Sequence, residues 1–250
     1  LVAGALVCFL IGFTGVGGGS LMTPILVLMF GIAPATAVGT DLLFASITKI
    51  AGGSIHGSRD SVDWMIVRRL AAGSVPAAAM TLVILSVSGN PNTIVSSAVL
   101  YALGGMLVLT GIATLFQRRL AAFAIRHPRA EQRRALLRTV ILGALLGVAV
   151  TLSSGGAGAI GVTALLMLYP GLRLARVVGS DIAHAVPLTL VAGFGHWMIG
   201  DVDFTLLVNL LCGSIPAVIA GSLLSSRAPD RVLRPALALV LLVSGIKLLT

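Results

Sequence analysis

The sequence predicts an all-α, polytopic membrane protein made of two inverted-topology repeats, and three observations carry that prediction. The first is composition. Of 250 residues 57% are hydrophobic and only 10% are charged, with a mean hydropathy of +1.08. A soluble domain carries roughly 25% charged residues, so this chain lacks the polar surface to face water on all sides. The second observation is internal repetition at a fixed offset of 140 residues. The third is a reversal of loop charge between the two copies.

The repeat has one ungapped register. Gly15 matches Gly155, Gly18 matches Gly158, Thr23 matches Thr163 and Gly31 matches Gly171. "AVGTD" (37–41) aligns with "VVGSD" (177–181), His56 with His196, "VD" (62–63) with "VD" (202–203), and "GSVPA" (73–77) with "GSIPA" (213–217). Twenty positions are identical between residues 12–77 and 152–217. Chance similarity between apolar segments does not hold Asp, His and Pro in one register, so the chain is a duplicated unit.

Each unit begins with a broken apolar segment and continues with three ordinary helices. In the first unit (1–116) the broken segment is 1–30, interrupted at 14–20, and the helices are 34–56, 64–88 and 93–116. Residues 1–14 have no basic n-region and no A-x-A site following an apolar stretch, since Ala3-Gly4-Ala5 stands ahead of it, and they read as membrane segment rather than signal peptide. In the second unit (138–250) the broken segment is 138–169, interrupted at 153–159, and the helices are 175–198, 204–225 and 232–249. Each broken segment exceeds the ~20 residues of a single span, which suggests a re-entrant hairpin of two short helices. Five crossings with two short ones satisfy the same parity. Pro76 and Pro216 mark matching kinks in the third helix.

The linker 117–137 is the strongly basic stretch and is expected to be a cytoplasmic loop. Counting crossings from it puts the uncharged turn 89–92 outside and the turn 57–63, with Arg59, inside. In the second unit the pattern inverts. The turn 199–203 has no Lys or Arg, whereas the next turn holds Arg227, Arg231 and Arg234. "GIAP" (31–34) is likewise uncharged where "GLRLAR" (171–176) is basic. An inverted repeat produces this antisymmetry and a parallel one does not. Both chain ends then lie outside. The net charge of +9 is explained by these segment-end arginines and not by a nucleic-acid surface.

The candidate functional groups follow from depth in the membrane. Broken backbone there must be buried or line a wet cavity. Breaks at matching positions of two inverted halves point to a substrate site. Free N–H groups at the start of the following short helix suit an anion. The first break offers Thr14, Gly15, Gly17, Gly18, Gly19 and Ser20. The second offers Ser153, Ser154, Gly155, Gly156 and Gly158. The competing explanation is close helix packing through small residues, as in "GALLG" (143–147). Asp41 and Asp181 sit within apolar helices, each after a small hydroxyl residue, Thr40 or Ser180, that could line the same cavity. Such carboxylates are candidates for proton or cation coupling, or else they cap or snorkel. Lys49, two turns after Asp41, is a partner or a substrate counter-charge. His184, three residues after Asp181, can meet it on one helix face, and it has no counterpart because Phe44 takes that position. His56 and His196, near helix ends, are candidates for proton shuttling. Asp63 and Asp203 start helices and read as N-caps. Cys8 and Cys212 lie in apolar segments without metal-ligand spacing, and neither a metal nor a cofactor is expected.

"GFTGVGGGSLMTPIL", "AVGTDL", "SIHGSRDSVDW" and "GSVPA", followed by their weaker second copies, resemble the TauE/SafE sulfite-exporter family of bacterial membrane transporters over nearly the whole chain. The resemblance implies a multi-pass carrier in the bacterial inner membrane. It also implies a small anionic substrate such as sulfite, sulfoacetate or a related sulfur compound. Two buried carboxylates repel a dianion unless protonated or screened, so a coupling proton or cation is expected. A passive anion channel is the nearer alternative and differs by carrying uncoupled current. An intramembrane aspartyl protease is disfavoured: neither aspartate stands in G-x-G-D, and "LSSGG" lacks the glycine of a rhomboid-type G-x-S-G. No enzyme is expected.

Overall fold

The computed structural model describes residues 19–55, 62–87, 94–126, 132–155, 157–169, 171–213 and 230–250. Those residues form nine helices: α1 (Gly19–Phe30), α2 (Pro34–Ile55), α3 (Trp64–Val87), α4 (Ile94–Arg126), α5 (Gln132–Ser153), α6 (Ala157–Leu168), α7 (Leu174–Ile199), α8 (Phe204–Gly213) and α9 (Asp230–Leu249). Four stretches among the described residues are long and apolar enough to cross a bilayer: Trp64–Val87, Val99–Phe116, Leu136–Ser153 and Ala175–Ile199. At 1.5 Å per residue the twelve-residue α1 and α6 span only about 18 Å, short of a hydrocarbon core of about 30 Å. Large apolar side chains such as Val83, Leu145 and Leu239 point outward, as lipid contact requires.

The helices pack as pairs: α3 along α5, α4 along α9, and α2 along α7, with α7 also against α3 and α6 against α4. Met22, Leu26, Ala37, Phe44, Leu207 and Leu210 form one buried cluster between α1, α2 and α8. A second cluster, between α6, α7, α3 and α5, contains Val162, Leu166, Val177 and Leu70. These four are the 140-residue counterparts of Met22, Leu26, Ala37 and Leu210. Leu103 and Leu107 meet Leu241 and Leu248 in a third cluster on the α4–α9 seam. Lipid is as apolar as Leu, so such contacts stabilise by close packing more than by removal from water.

The α3–α5 seam depends on missing side chains. A Cβ at Gly143 would collide with the Leu70 carbonyl, one at Gly147 with the Ser74 carbonyl, and one at Gly73 with the Val140 carbonyl. Helix backbones approach this closely only through glycine. Gly147→Leu is therefore expected to cost about 1–3 kcal/mol, the usual range for overpacking, and to lower the unfolding temperature in detergent.

Several expected boundaries are corrected. The basic segment 117–137 is not a loop throughout, because residues 117–126 continue α4 and 132–137 begin α5. Ala, Leu, Arg and Gln are strong helix formers, so the helices run on past their apolar spans. As a result, the second broken segment pairs one long helix with one short one instead of two short ones. Its break is also narrower than 153–159. Ser153 is still helical and the helix resumes at Ala157. The first break lies largely outside the described residues, and α1 has begun by Gly19.

Candidate functional site

The second break makes the site possible. Ser154 ends α5 with φ +57°, a left-handed conformation uncommon for a residue with a side chain. Local bonds satisfy the turn: Ser154 N–H donates to Val150 O at 2.7 Å, and Ser153 Oγ reaches Ala149 O at 2.7 Å and Gly155 O at 3.1 Å. Irregular backbone inside apolar surroundings persists only when its polar groups are matched in this way.

The turn aims Ser154 at Asp41, which comes from the other half of the chain. Ser154 Oγ donates to Asp41 Oδ2 at 2.8 Å, and Thr23 Oγ1 of α1 donates to the same oxygen at 2.6 Å. Asp41 is completely buried, and its Oδ1 has no hydrogen-bond partner among the described residues. Asp181 lies on α7 against the first turns of α6. A methyl at Gly158 would stand 3.7 Å from Asp181 Oδ2, and one at Gly161 would collide with Oδ1. The short side chains of α6 thus make room for a carboxylate. Lys49 lies within electrostatic reach of both aspartates and of His184. His184 does not bond Asp181; its Nε2 pairs with Ser74 Oγ of α3 at 2.7 Å.

The remaining candidates hold the scaffold around this centre. Ser180 Oγ accepts from Asp63 N–H at 2.8 Å, and Thr40 Oγ1 accepts from Asp203 N–H at 3.1 Å. The two bonds are 140-residue counterparts, and each ties a residue next to a buried aspartate to a helix start in the other half. The two hydroxyls are therefore engaged with backbone instead of free. Asp63 and Asp203 are N-caps as expected: Asp63 Oδ1 accepts from Met65 N–H at 3.1 Å and Asp203 Oδ1 from Leu206 N–H at 2.9 Å. Asp203→Ala is expected to lower stability by about 1 kcal/mol, the usual value of a cap, measured by thermal unfolding in detergent.

His196 is fully buried, not interfacial. Its Nε2 faces Thr151 O at 2.9 Å and its Nδ1 faces Asp201 Oδ2 at 3.1 Å. Since Thr151 O can only accept, Nε2 carries the hydrogen of that bond. The imidazole thereby fastens the end of α5 to the α7–α8 turn, where Gly200 closes α7 in a left-handed cap. Thr14, Gly15, Gly17, Gly18, Gly156 and His56 lie outside the described residues. Gly19 and Ser20 begin α1.

Four participants were not among the expected site residues: Thr23, Ser74, Gly161 and Asp201. Thr23 and Ser74 did carry a signal, because both are identical to their repeat counterparts, Thr163 and Ser214. Gly161 and Asp201 face Leu21 and Ser61 in the repeat register and carried none.

Apolar helices around two buried carboxylates, an ammonium and an imidazole define the class: a polytopic α-helical membrane protein with an ionisable interior. The model of the family described as "Sulfite exporter TauE/SafE" matches residues 1–248. The probable membrane transporter protein YjnA of Bacillus subtilis (strain 168) is 38% identical over 253 residues, covering 100% of this chain and 98% of that protein. The probable membrane transporter protein YdhB of the same organism is 28% identical over 247 residues, covering 96% of this chain and 95% of that one. A probable membrane transporter protein of Xylella fastidiosa (strain 9a5c) is 25% identical over 233 residues, covering 90% and 83%. No solved structure matches the chain. The chain belongs to the TauE/SafE family and is a membrane transporter.

Proposed function

We propose that the chain is a secondary active carrier of a small anion, sulfite or an organosulfonate, working by alternating access with coupling to a proton or cation. The observation that carries this reading is the bond between Asp41 of the first half and Ser154 at the break of the second. A charged group held by an interrupted helix at membrane depth is costly, and a transport site is the common use for one. Two aspartates and one lysine leave the centre with one excess negative charge. An anion can enter beside it only when positive charge enters too, so coupling follows from electroneutrality.

The reciprocal bonds Ser180–Asp63 and Thr40–Asp203 support two gates related by the repeat, one near each membrane face. The counterpart apolar clusters support two interlocked units able to rock against each other. Lys49, which acts electrostatically on both aspartates, serves as the anion's counter-charge. We place the carrier in the bacterial inner membrane with residues 117–137 cytoplasmic and both chain ends outside. A cysteine introduced at position 128 is expected to react with a membrane-impermeant maleimide only in inside-out vesicles. Labelling in intact spheroplasts would reverse the orientation.

Proteoliposome uptake of sulfite, thiosulfate, sulfonates and carboxylates tests the function. Saturable, gradient-dependent accumulation is expected for a sulfur-containing anion. Conductive flux without coupling would make the protein a channel.

A further inference from the structure

Asp41 and Asp181 occupy counterpart positions in unlike surroundings, and the contrast refines the proposed carrier reading, on which this inference rests. Around Asp181 no hydroxyl donates to the carboxylate among the described residues; the neighbours are Gly158, Gly161 and the charge of Lys49. Asp41 is different. Both hydroxyls that reach it among the described residues, from Thr23 and Ser154, donate to Oδ2 and leave Oδ1 buried with no hydrogen-bond partner among those residues.

We propose that Asp41 Oδ1, together with Thr23 Oγ1 and Ser154 Oγ at the other oxygen of the same carboxylate, binds a desolvated monovalent metal cation of the sodium class. An orphaned carboxylate oxygen in apolar surroundings calls for a positive partner. A proton is the poorer candidate. An O–H on Oδ1 would itself need an acceptor, and Oδ1 has no hydrogen-bond partner among the described residues. Oxygens that share a metal ion stand farther apart than oxygens that share a proton, which matches an Oδ1 with no hydrogen-bonded neighbour.

The donor set is hard oxygen throughout, the type that alkali and alkaline-earth ions select. Each hydroxyl commits its hydrogen to Oδ2 and keeps lone pairs for a cation. The C-terminal end of α5, which stops at Ser153 just before Ser154, adds the negative end of a helix dipole. A single carboxylate balances a single positive charge. No group of three or more His, Cys, Asp or Glu side chains gathers among the described residues, which argues against a divalent or transition metal. Bound there, the ion would join α1, α2 and the α5 break, and so link the two halves that an alternating-access cycle moves.

The test is binding of radiolabelled sodium to the purified full-length protein in detergent, read by scintillation proximity, with gel filtration reporting the fold. Saturable binding is expected, displaced by unlabelled sodium or lithium and not by choline. Asp41→Asn should weaken it at least tenfold. Thr23→Val and Ser154→Ala should each weaken it severalfold, and Lys247→Gln, at the exposed end of α9, should leave it unchanged. Absence of saturable sodium binding by folded wild-type protein overturns the inference, as does unaltered binding in Asp41→Asn. A separate arm measures anion uptake in proteoliposomes with choline in place of sodium. Full-rate uptake without sodium overturns the cation as coupling ion and leaves the carrier reading intact. Sodium binding without anion uptake under any imposed gradient overturns the carrier reading and leaves the cation site standing.

Discussion

Lys49→Met is expected to reduce anion uptake by at least tenfold and to lower the yield of folded protein. Lys49 is the positive charge acting on Asp41, Asp181 and His184 alike. Without it, two carboxylates exposed by only 0% and 7% have no counter-charge acting on them among the described residues. Removing one partner of buried ionic groups destabilises by roughly 3–5 kcal/mol, chiefly through the uncompensated charge left behind. A second substitution separates folding from function. Lys49→Met combined with Asp181→Asn removes one charge of each sign and is expected to restore the folded yield. Anion uptake should stay lost, since a substrate counter-charge is still missing. Lys49→Arg keeps the charge and is expected to retain part of the uptake. Recovery of uptake in the charge-balanced double variant would assign Lys49 a purely structural role.

Asp41→Asn is expected to abolish gradient-driven accumulation while leaving the fold nearly intact. The amide oxygen of Asn can still accept from Thr23 and Ser154, so the geometry at the break survives. Hydrogen bonds to a charged acceptor contribute about 1.5–3 kcal/mol and neutral ones about 1 kcal/mol, so a stability loss of about 1–3 kcal/mol is expected. What disappears is the charge. The variant centre holds one aspartate and one lysine, is neutral, and no longer requires a cation with each anion. Downhill exchange of the anion should therefore persist when uphill uptake is lost. Loss of both activities would mark Asp41 as a structural residue only. Thr23→Val, which removes one hydroxyl donor and leaves the charge, is expected to give a milder version of the same defect.

Much of the architecture was legible because membrane sequences carry their constraints openly. Apolar runs give spans, and the 140-residue register picked out Asp41, Asp181 and the second break before any coordinates. The register also named both members of each reciprocal bond, Thr40 with Asp203 and Ser180 with Asp63, though not that they meet. Partners across the halves depend on how two units dock, and one-dimensional patterns are blind to that. Ser154 was expected to contact substrate and instead donates to a carboxylate 113 positions away. His184 was paired with Asp181 on helical spacing, but packing of α7 on α3 brings Ser74 closer. His196 shows the same limit. Near a helix end in sequence, it is fully buried, because the turn after α7 folds Asp201 back onto its ring. The extension of α4 to Arg126 escaped detection because hydropathy reports where a span ends, not where its helix does.

The most direct measurement is accumulation of radiolabelled sulfite in proteoliposomes holding the full chain, under imposed sodium or proton gradients, beside Asp41→Asn. Wild-type protein is predicted to concentrate the anion above equilibrium only with a gradient, and Asp41→Asn only to equilibrate it. Equal accumulation by the two proteins would contradict a coupling role for Asp41. Failure of the wild type to accumulate sulfite, thiosulfate or any sulfonate under either gradient would contradict the carrier itself.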